Sequence, residues 1–142
     1  MYIVFDTNVY ISAFGVPGSK ASSAYGLAEE GVFDLAVSPQ ILEEIRLKLG
    51  GPKFGFSDAR LDQVEELIRE LATVVEPGIH LSVLEDEPDN RILECAVEAG
   101  ASAIVTGDKD LLSLKSYEGI GIMTVAELLY TFPTLPGKPD GD

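Results

Sequence analysis

Acidic side chains that close apolar runs are the residues of this sequence best placed to do chemistry. Asp6 directly follows the apolar stretch 1–5, and Asp108 follows the apolar stretch 103–106 and Gly107. Asp110 stands two residues beyond Asp108, Asp89 sits behind Pro88, and Glu43 falls early in the segment after a further apolar run at 32–37. Carboxylates gathered in one partly buried cleft repel one another, so they must either take up protons or be neutralised by a cation. Oxygen ligands alone suit a hard ion such as Mg²⁺ or Mn²⁺, which binds through a few carboxylates and keeps waters of its own. With two such ions, the attacking and leaving oxygens of an in-line displacement can both be stabilised. The chemistry this set would support is metal-assisted cleavage of a phosphodiester.

Other catalytic sets are poorly supplied. His80 is the sole histidine, and no motif places a nucleophile beside it, so a Ser-His-Asp or Cys-His arrangement would rest on one loop residue. Cys95 is the sole cysteine; it cannot form an internal disulfide, and with one histidine it leaves no ligand set for structural zinc. In an alanine-rich segment it reads as a small buried hydrophobe. The glycines stand at turns and form no phosphate-binding loop.

The carboxylates need a scaffold that brings distant positions together, and the pattern of apolar runs supplies one. Residues 1–5 read as a buried strand feeding a helix, 22–30 as a helix, and 32–37 as a second strand. Ser38-Pro39 supplies a cap and a proline for a helix that Gly50-Gly51 ends near Leu49. Ser57 caps the next helix, whose Leu61, Val64, Leu67, Ile68 and Leu71 recur at helical spacing as a core-facing stripe. A third strand is expected at 72–75, a loop at 76–88, and a helix opened by Asp89 that carries Ile92, Leu93, Ala96 and Val97. Strands at 103–106 and 120–123 and a last helix at 125–130 complete the series.

Strands that alternate with helices and lack polar alternation indicate a mainly parallel sheet of five strands covered on both faces. Sites in such sheets lie outside the carboxyl ends of the strands. Asp6 and Asp108 fall just there, after the first and fourth strands. One domain over 1–132 is expected, with a Pro/Gly-rich tail at 133–142 expected to be disordered.

The start of the chain has no basic leader, and no apolar run approaches the roughly 18 residues of a membrane span. A soluble, cytoplasmic protein with no membrane contact is expected. The formal charge of −14 runs against binding a phosphate backbone, which Lys/Arg surfaces ordinarily attract.

Four segments, in order, also carry a resemblance: 3–9 (Ile-Val-Phe-Asp-Thr-Asn-Val), 38–45, Asp86-Glu87-Pro88-Asp89-Asn90, and 104–112 with Thr106-Gly107-Asp108-Lys109-Asp110. Together they resemble the PIN-domain nucleases, in particular toxins of VapC-type toxin–antitoxin pairs and their relatives, over residues 1 to about 130. The resemblance implies a three-layer α/β/α sandwich and a Mg²⁺- or Mn²⁺-dependent endoribonuclease. It makes Asp6, Asp89 and Asp108 metal-site carboxylates, Glu43 a further ligand or water-orienting group, and Asp110 a secondary ligand. Thr7, Asn8, Asn90 and Thr106 would support the cluster by hydrogen bonds. It also implies an RNA substrate, a small antitoxin partner and a homodimer. The third segment departs from the family's run of consecutive aspartates, because Pro88 precedes Asp89 and Asp86 lies further back.

Each residue also has a plainer reading. Asp6 could simply stop a strand, although Ser, Gly or Asn would serve a loop equally well. Asp89, Asp108 and Asp110 could favour helix N-termini through the dipole, worth about 0.3–1 kcal/mol each, which explains one aspartate of the last pair better than both. Glu43 competes with Glu44 for its role. Arg46, Lys48, Lys53 and Lys109 read first as a solvated face and only second as a path for RNA. A haloacid-dehalogenase-like phosphatase also places an aspartate after its first strand, but Asn8 stands where that class resembles Asp-x-Asp. A non-catalytic PIN-like scaffold for protein or RNA, or a receiver-like phosphoacceptor, is the binding-module alternative.

Overall fold

The computed structural model describes residues 1–132, so the tail at 133–142 lies outside the described residues. Strand β1 (Tyr2–Phe5) runs through the core and passes directly into α1 (Thr7–Gly15). Helix α2 (Lys20–Glu29) is capped by Ser19, whose hydroxyl accepts from the Ser22 amide. Strand β2 (Asp34–Val37) leads to α3 (Pro39–Leu49), where the Ser38 hydroxyl accepts from Ile41 N and proline occupies the first turn. Ser57 caps α4 (Asp58–Leu71) in the same way through Arg60 N. These caps satisfy amides that the first helical turn leaves without intrahelical partners.

Strand β3 (Thr73–Val74) follows, and the Val75 amide extends its pairing by donating to Val37 O at 2.8 Å. Helix α5 (Glu87–Ala99) ends on Gly100 in the left-handed region, φ 64°, where a side chain would strain the cap. Strand β4 (Ala103–Val105), α6 (Lys109–Leu114), β5 (Ser116–Tyr117), β6 (Ile120–Met123) and α7 (Val125–Thr131) complete the described chain.

The sheet has the order β3-β2-β1-β4-β6-β5, parallel throughout except for the β5–β6 hairpin. Helices cover both faces, with α5 lying against β1, β2 and β4 while α1 packs on α2 and α3. The three-layer α/β/α sandwich expected from the sequence is the fold. Its sheet has six strands rather than five, because Glu118 (φ 49°) and Gly119 (φ 83°) turn the chain back between two short strands. Successive positive φ angles of that kind match the twist of a tight hairpin.

Two further expectations are corrected. Helix α5 opens at Glu87 rather than Asp89, since proline is compatible with a first helical turn and Pro88 sits within it. Leu67 is 51% exposed, so the stripe of α4 that reaches the core is Leu61, Val64 and Ile68, with Leu71 packed at its edge. Among the described residues no helix is long and apolar enough to cross a membrane.

The order of strands reverses between β1 and β4, and at that place two adjacent parallel strands send their following loops apart. Register fixes what meets there. Phe5 pairs with Val105, so the next residues, Asp6 and Thr106, leave the sheet side by side. Backbone pairing continues one step further, with Asp6 N donating to Val105 O and Thr106 N to Met123 O, both at 2.9 Å.

Candidate active site

Asp6 occupies the N-cap position of α1, yet its side chain makes no capping bond to the amides further along the first turn. Its Oδ2 instead accepts from the buried hydroxyl of Thr106 at 2.7 Å. The same hydroxyl accepts from Asp108 N at 2.9 Å, so one side chain at the end of β4 fixes two acidic residues. Burial raises the Asp6 pKa; the hydrogen bonds from Thr106 and the Thr7 amide and the charge of Lys48 work against that, and Asp108 adds to it. Thr7 is thus buried beside the site and contributes its backbone, while its neighbour Asn8 is exposed.

Asp108 caps α6, its Oδ1 accepting from Asp110 N at 2.8 Å and Leu111 N at 3.1 Å. One of its oxygens is committed to that turn. Asp110 enters the site through this amide, and its carboxylate is exposed.

Helix α5 delivers the remaining acids. Asp86 stands at its N-cap without making a capping bond, and Asp89 lies three residues on, which places both on one side of the first turn. Oxygens of Asp86, Asp89 and Asp108 lie within 4.8 Å of one another, close enough to share one cation. Asp89 is only 4% exposed, and its Oδ2 has no hydrogen-bond partner among the described residues. Desolvation first, and then the charges of Asp108, Asp6 and Asp86, push its pKa up to about 7. A buried carboxylate oxygen without a donor, facing other carboxylates, is suited to a cation.

Asn90, fully buried, holds the approach to this turn. Its Oδ1 accepts from Val83 N and Leu84 N, and its Nδ2 donates to Leu84 O. These bonds pin the end of the 76–86 connection against α5 and so set where Asp86 arrives. His80 is exposed, 3.7 Å from Glu94, and stands in no catalytic arrangement.

Glu43 is exposed on α3 and is not among the acids gathered here. Its neighbour Glu44 is half-buried and pairs with Lys48 at 3.4 Å, and Lys48 Nζ donates to Asn8 Oδ1 at 3.1 Å. Of the two glutamates, Glu44 is the one tied toward Asp6. The residue that sequence reasoning left open and the structure brings in is Asp86. The signal for it was available, because an acid three residues before Asp89 across a helix-opening proline shares the first turn with it.

Asp6, Asp86, Asp89 and Asp108 thus meet at the carboxyl edge of a parallel sheet, positioned by Thr106 and Asn90. The sequence pattern of the PIN domain matches residues 2–110, and the chain belongs to that family. It is 34% identical over 120 residues to an uncharacterized protein of Methanocaldococcus jannaschii, a match that covers 80% of this chain and 74% of the relative. Its fold is similar to VapBC2 from Rickettsia felis, solved bound to a DNA fragment from its promoter, at TM-score 0.58 and 13% identity over 87% of this chain and 98% of that one. It is also similar to VapC20 of Mycobacterium tuberculosis, a sarcin-ricin loop cleaving toxin, at TM-score 0.56 and 16% identity over 84% of this chain and 98% of that one. At such identities the two solved structures speak for the fold.

Proposed function

We propose that this protein is a divalent-metal-dependent endoribonuclease of the VapC type. The observation that carries the reading is the convergence of Asp86, Asp89 and Asp108 beside Asp6, with a buried Asp89 oxygen that no donor satisfies. The donor set is all oxygen and fits Mg²⁺ or Mn²⁺. Asp86, Asp89 and Asp108 would hold the ion, with Asp6 adjoining them. When bound, such an ion would supply Lewis acidity to a phosphoryl group and to a water nucleophile.

The chain's own residues prepare that chemistry. Thr106 favours the ionised form of Asp6 and aims it by its hydrogen bond. The α6 amides hold Asp108 in a fixed rotamer, which preserves the spacing of the carboxylates. Burial and the neighbouring acids push the Asp89 pKa up to about 7, and a cation would compete with that proton, so activity should rise with pH through neutrality. Asp110 and Glu43, both exposed, act at the rim as a secondary ligand and a water-orienting group.

RNA as the substrate class is supported by family membership and by the likeness in fold to a toxin described as cleaving the sarcin-ricin loop. On the same reading the protein is cytoplasmic, forms a homodimer and is held inactive by a small antitoxin. The whole described region acts as one nuclease domain.

The test is cleavage of a structured RNA with Mn²⁺, with and without EDTA, by wild type and by Asp6→Asn, Asp108→Asn and Asp110→Asn. Loss of more than about a hundredfold is expected for the first two and at most about tenfold for the third, following the spacing of about 1.4 kcal/mol per decade. Activity that survives EDTA, or is equal in wild type and Asp108→Asn, removes the nuclease assignment.

A further inference from the structure

Beside the carboxylates lies a cleft that the metal chemistry leaves unused. Its volume is about 610 Å³, within the range of about 300–1,000 Å³ typical of small-ligand sites, and its walls include Asn8, Ile11, Leu47, Lys48, Lys53 and Phe54. The cleft and the acidic site adjoin at Asn8, two residues along the chain from Asp6. Lys48 bridges them, since its ammonium bonds Asn8 Oδ1 at 3.1 Å and acts on the Asp6 carboxyl.

One cation at this cleft stands outside the ion pairs that hold Arg46, Arg69 and Arg91. Arg46 is engaged by Asp62 and Glu65, Arg69 by Glu65, and Arg91 by Glu87 and Glu94. Lys48 is shared between Glu44 and Asn8. Among the described residues no ion pair holds Lys53, and its ammonium lies 5.5 Å from the centroid of the Phe54 ring. A phosphate would draw that flexible cation off the ring and leave an aromatic surface beside it.

The ring itself is seated by the backbone. A Cβ at Gly15 would fall 2.5 Å from a Phe54 ring carbon, so glycine at the end of α1 is what allows Phe54 its place. Leu47, 71% exposed, and Ile11 supply apolar walls. Aromatic and apolar surface flanked by ammonium groups is the pattern that holds a base and its phosphates in single-stranded nucleic acid.

We propose that this cleft seats a nucleotide of single-stranded RNA adjoining the bond that is cut, its base against Phe54, Ile11 and Leu47 and its phosphates at Lys48 and Lys53. The proposal rests on the ribonuclease reading for the identity of the strand and adds where the strand lies. An apolar peptide segment would cover the walls but leave the Lys53 ammonium without a counter-charge.

The chain contains no tryptophan, so Phe54→Trp introduces a unique fluorophore at the cleft. The metal-free protein is titrated in EDTA with a short oligouridylate, which requires no cleavage. In parallel, amide NMR shifts of Asn8, Ser12 and Lys53 are followed in the wild type, which keeps the test independent of how the larger ring packs. Saturable quenching, shifts confined to the cleft, and an affinity about tenfold weaker in Lys53→Glu are expected, as for loss of a phosphate contact with reversal of its charge. Silence in both readouts, unchanged affinity in Lys53→Glu, or shifts produced by an apolar peptide and not by RNA would overturn the proposal. Cleavage is scored separately with Mn²⁺: a mute cleft in a chain that cuts RNA sinks the cleft alone, and a responsive cleft in a chain that cuts nothing sinks the nuclease reading alone.

Discussion

Replacing Asp89 by asparagine should stabilise the metal-free protein at alkaline pH and do little at acid pH. Asp89 is buried, its Oδ2 lacks a partner, and it faces Asp108, Asp6 and Asp86. Its pKa rises from 3.8 in the unfolded chain to about 7 in the fold. Between those values the folded state binds the proton and the unfolded state does not, so stability falls as pH rises across the window and stays low above it. A shift of about three units at about 1.36 kcal/mol each sets a ceiling of about 4 kcal/mol, and solvent screening at the exposed Asp86 side halves this to about 2 kcal/mol.

The substituted asparagine would carry no charge at any pH, and its amide can donate to the Asp108 carboxylate. A domain of this length converts about 2 kcal/mol into about 6–8 °C of Tm. Thermal unfolding in EDTA at about pH 8 should therefore show Asp89→Asn melting above wild type by that amount, with the gain cut to well under half at about pH 5, since it vanishes only below the unfolded value of 3.8. Saturating Mn²⁺ should reverse the order at alkaline pH, because ligand binding to the folded state raises the wild type by about 2.7 kcal/mol at a hundredfold excess over Kd. An Asp89→Asn protein that melts at or below wild type in EDTA at alkaline pH, or gains equally at both pH values, would refute the account of Asp89 as a charge awaiting a cation.

Thr106→Val keeps the shape of the side chain but removes the hydroxyl shared by Asp6 and Asp108 N; it should cost about 1–3 kcal/mol in urea unfolding. It should also lower kcat for RNA cleavage more than it raises KM, and unchanged kinetics would show that Asp6 needs no such anchor. Asn90→Ala removes the bonds to Val83, Leu84 and the Leu84 carbonyl, for an expected loss of about 2–3 kcal/mol with weakened Mn²⁺ binding; full stability and full metal affinity would detach Asp86 from this loop. Two lysine–phosphate contacts predict a shallow salt dependence for single-stranded RNA, a slope of log K on log salt near about −1.4 at about −0.7 per phosphate. A slope several times steeper would mean that the RNA tracks a basic surface outside the cleft.

The scaffold was legible because its two central strands are apolar runs that end at polar turns. Ile3-Val4-Phe5 and Ala103-Ile104-Val105 are buried on both sides, and each ends where the chain must turn polar. Helix starts at Ser38 and Ser57 were equally plain, since a hydroxyl followed by a helical stripe states its own cap. The hairpin strand Ser116–Tyr117 is too short to show any alternation, and only the paired positive φ angles of Glu118 and Gly119 create it. Pro88 reads from sequence as the end of a loop, although it lies inside the first turn of α5. That displacement hid Asp86, whose position on the same turn as Asp89 is visible only once the helix starts early enough. Glu43 and Glu44 differ by a rotation of about 100° around α3, so which of them lies nearer the site depends on how that helix packs against α1 and α4 rather than on its own pattern.

The acidity of the chain takes on a specific meaning once the ion pairs are placed. A net charge of −14 should repel a polyanion, and Arg46, Arg69 and Arg91, which could have offset it, are engaged by neighbouring acids on the helices. On the ribonuclease reading attraction for RNA is local, and the positive charge for it would come from a cation at the carboxylates, from Lys48 and Lys53 at the cleft and from the exposed Lys109 next to Asp108. A strand long enough to reach the carboxylates and the cleft would be held at the site itself, while the rest of the surface discourages any other mode of binding. In this arrangement the negative surface works as a selectivity device, because RNA that cannot present a flexible single-stranded nucleotide to the cleft meets repulsion without the contacts that would offset it.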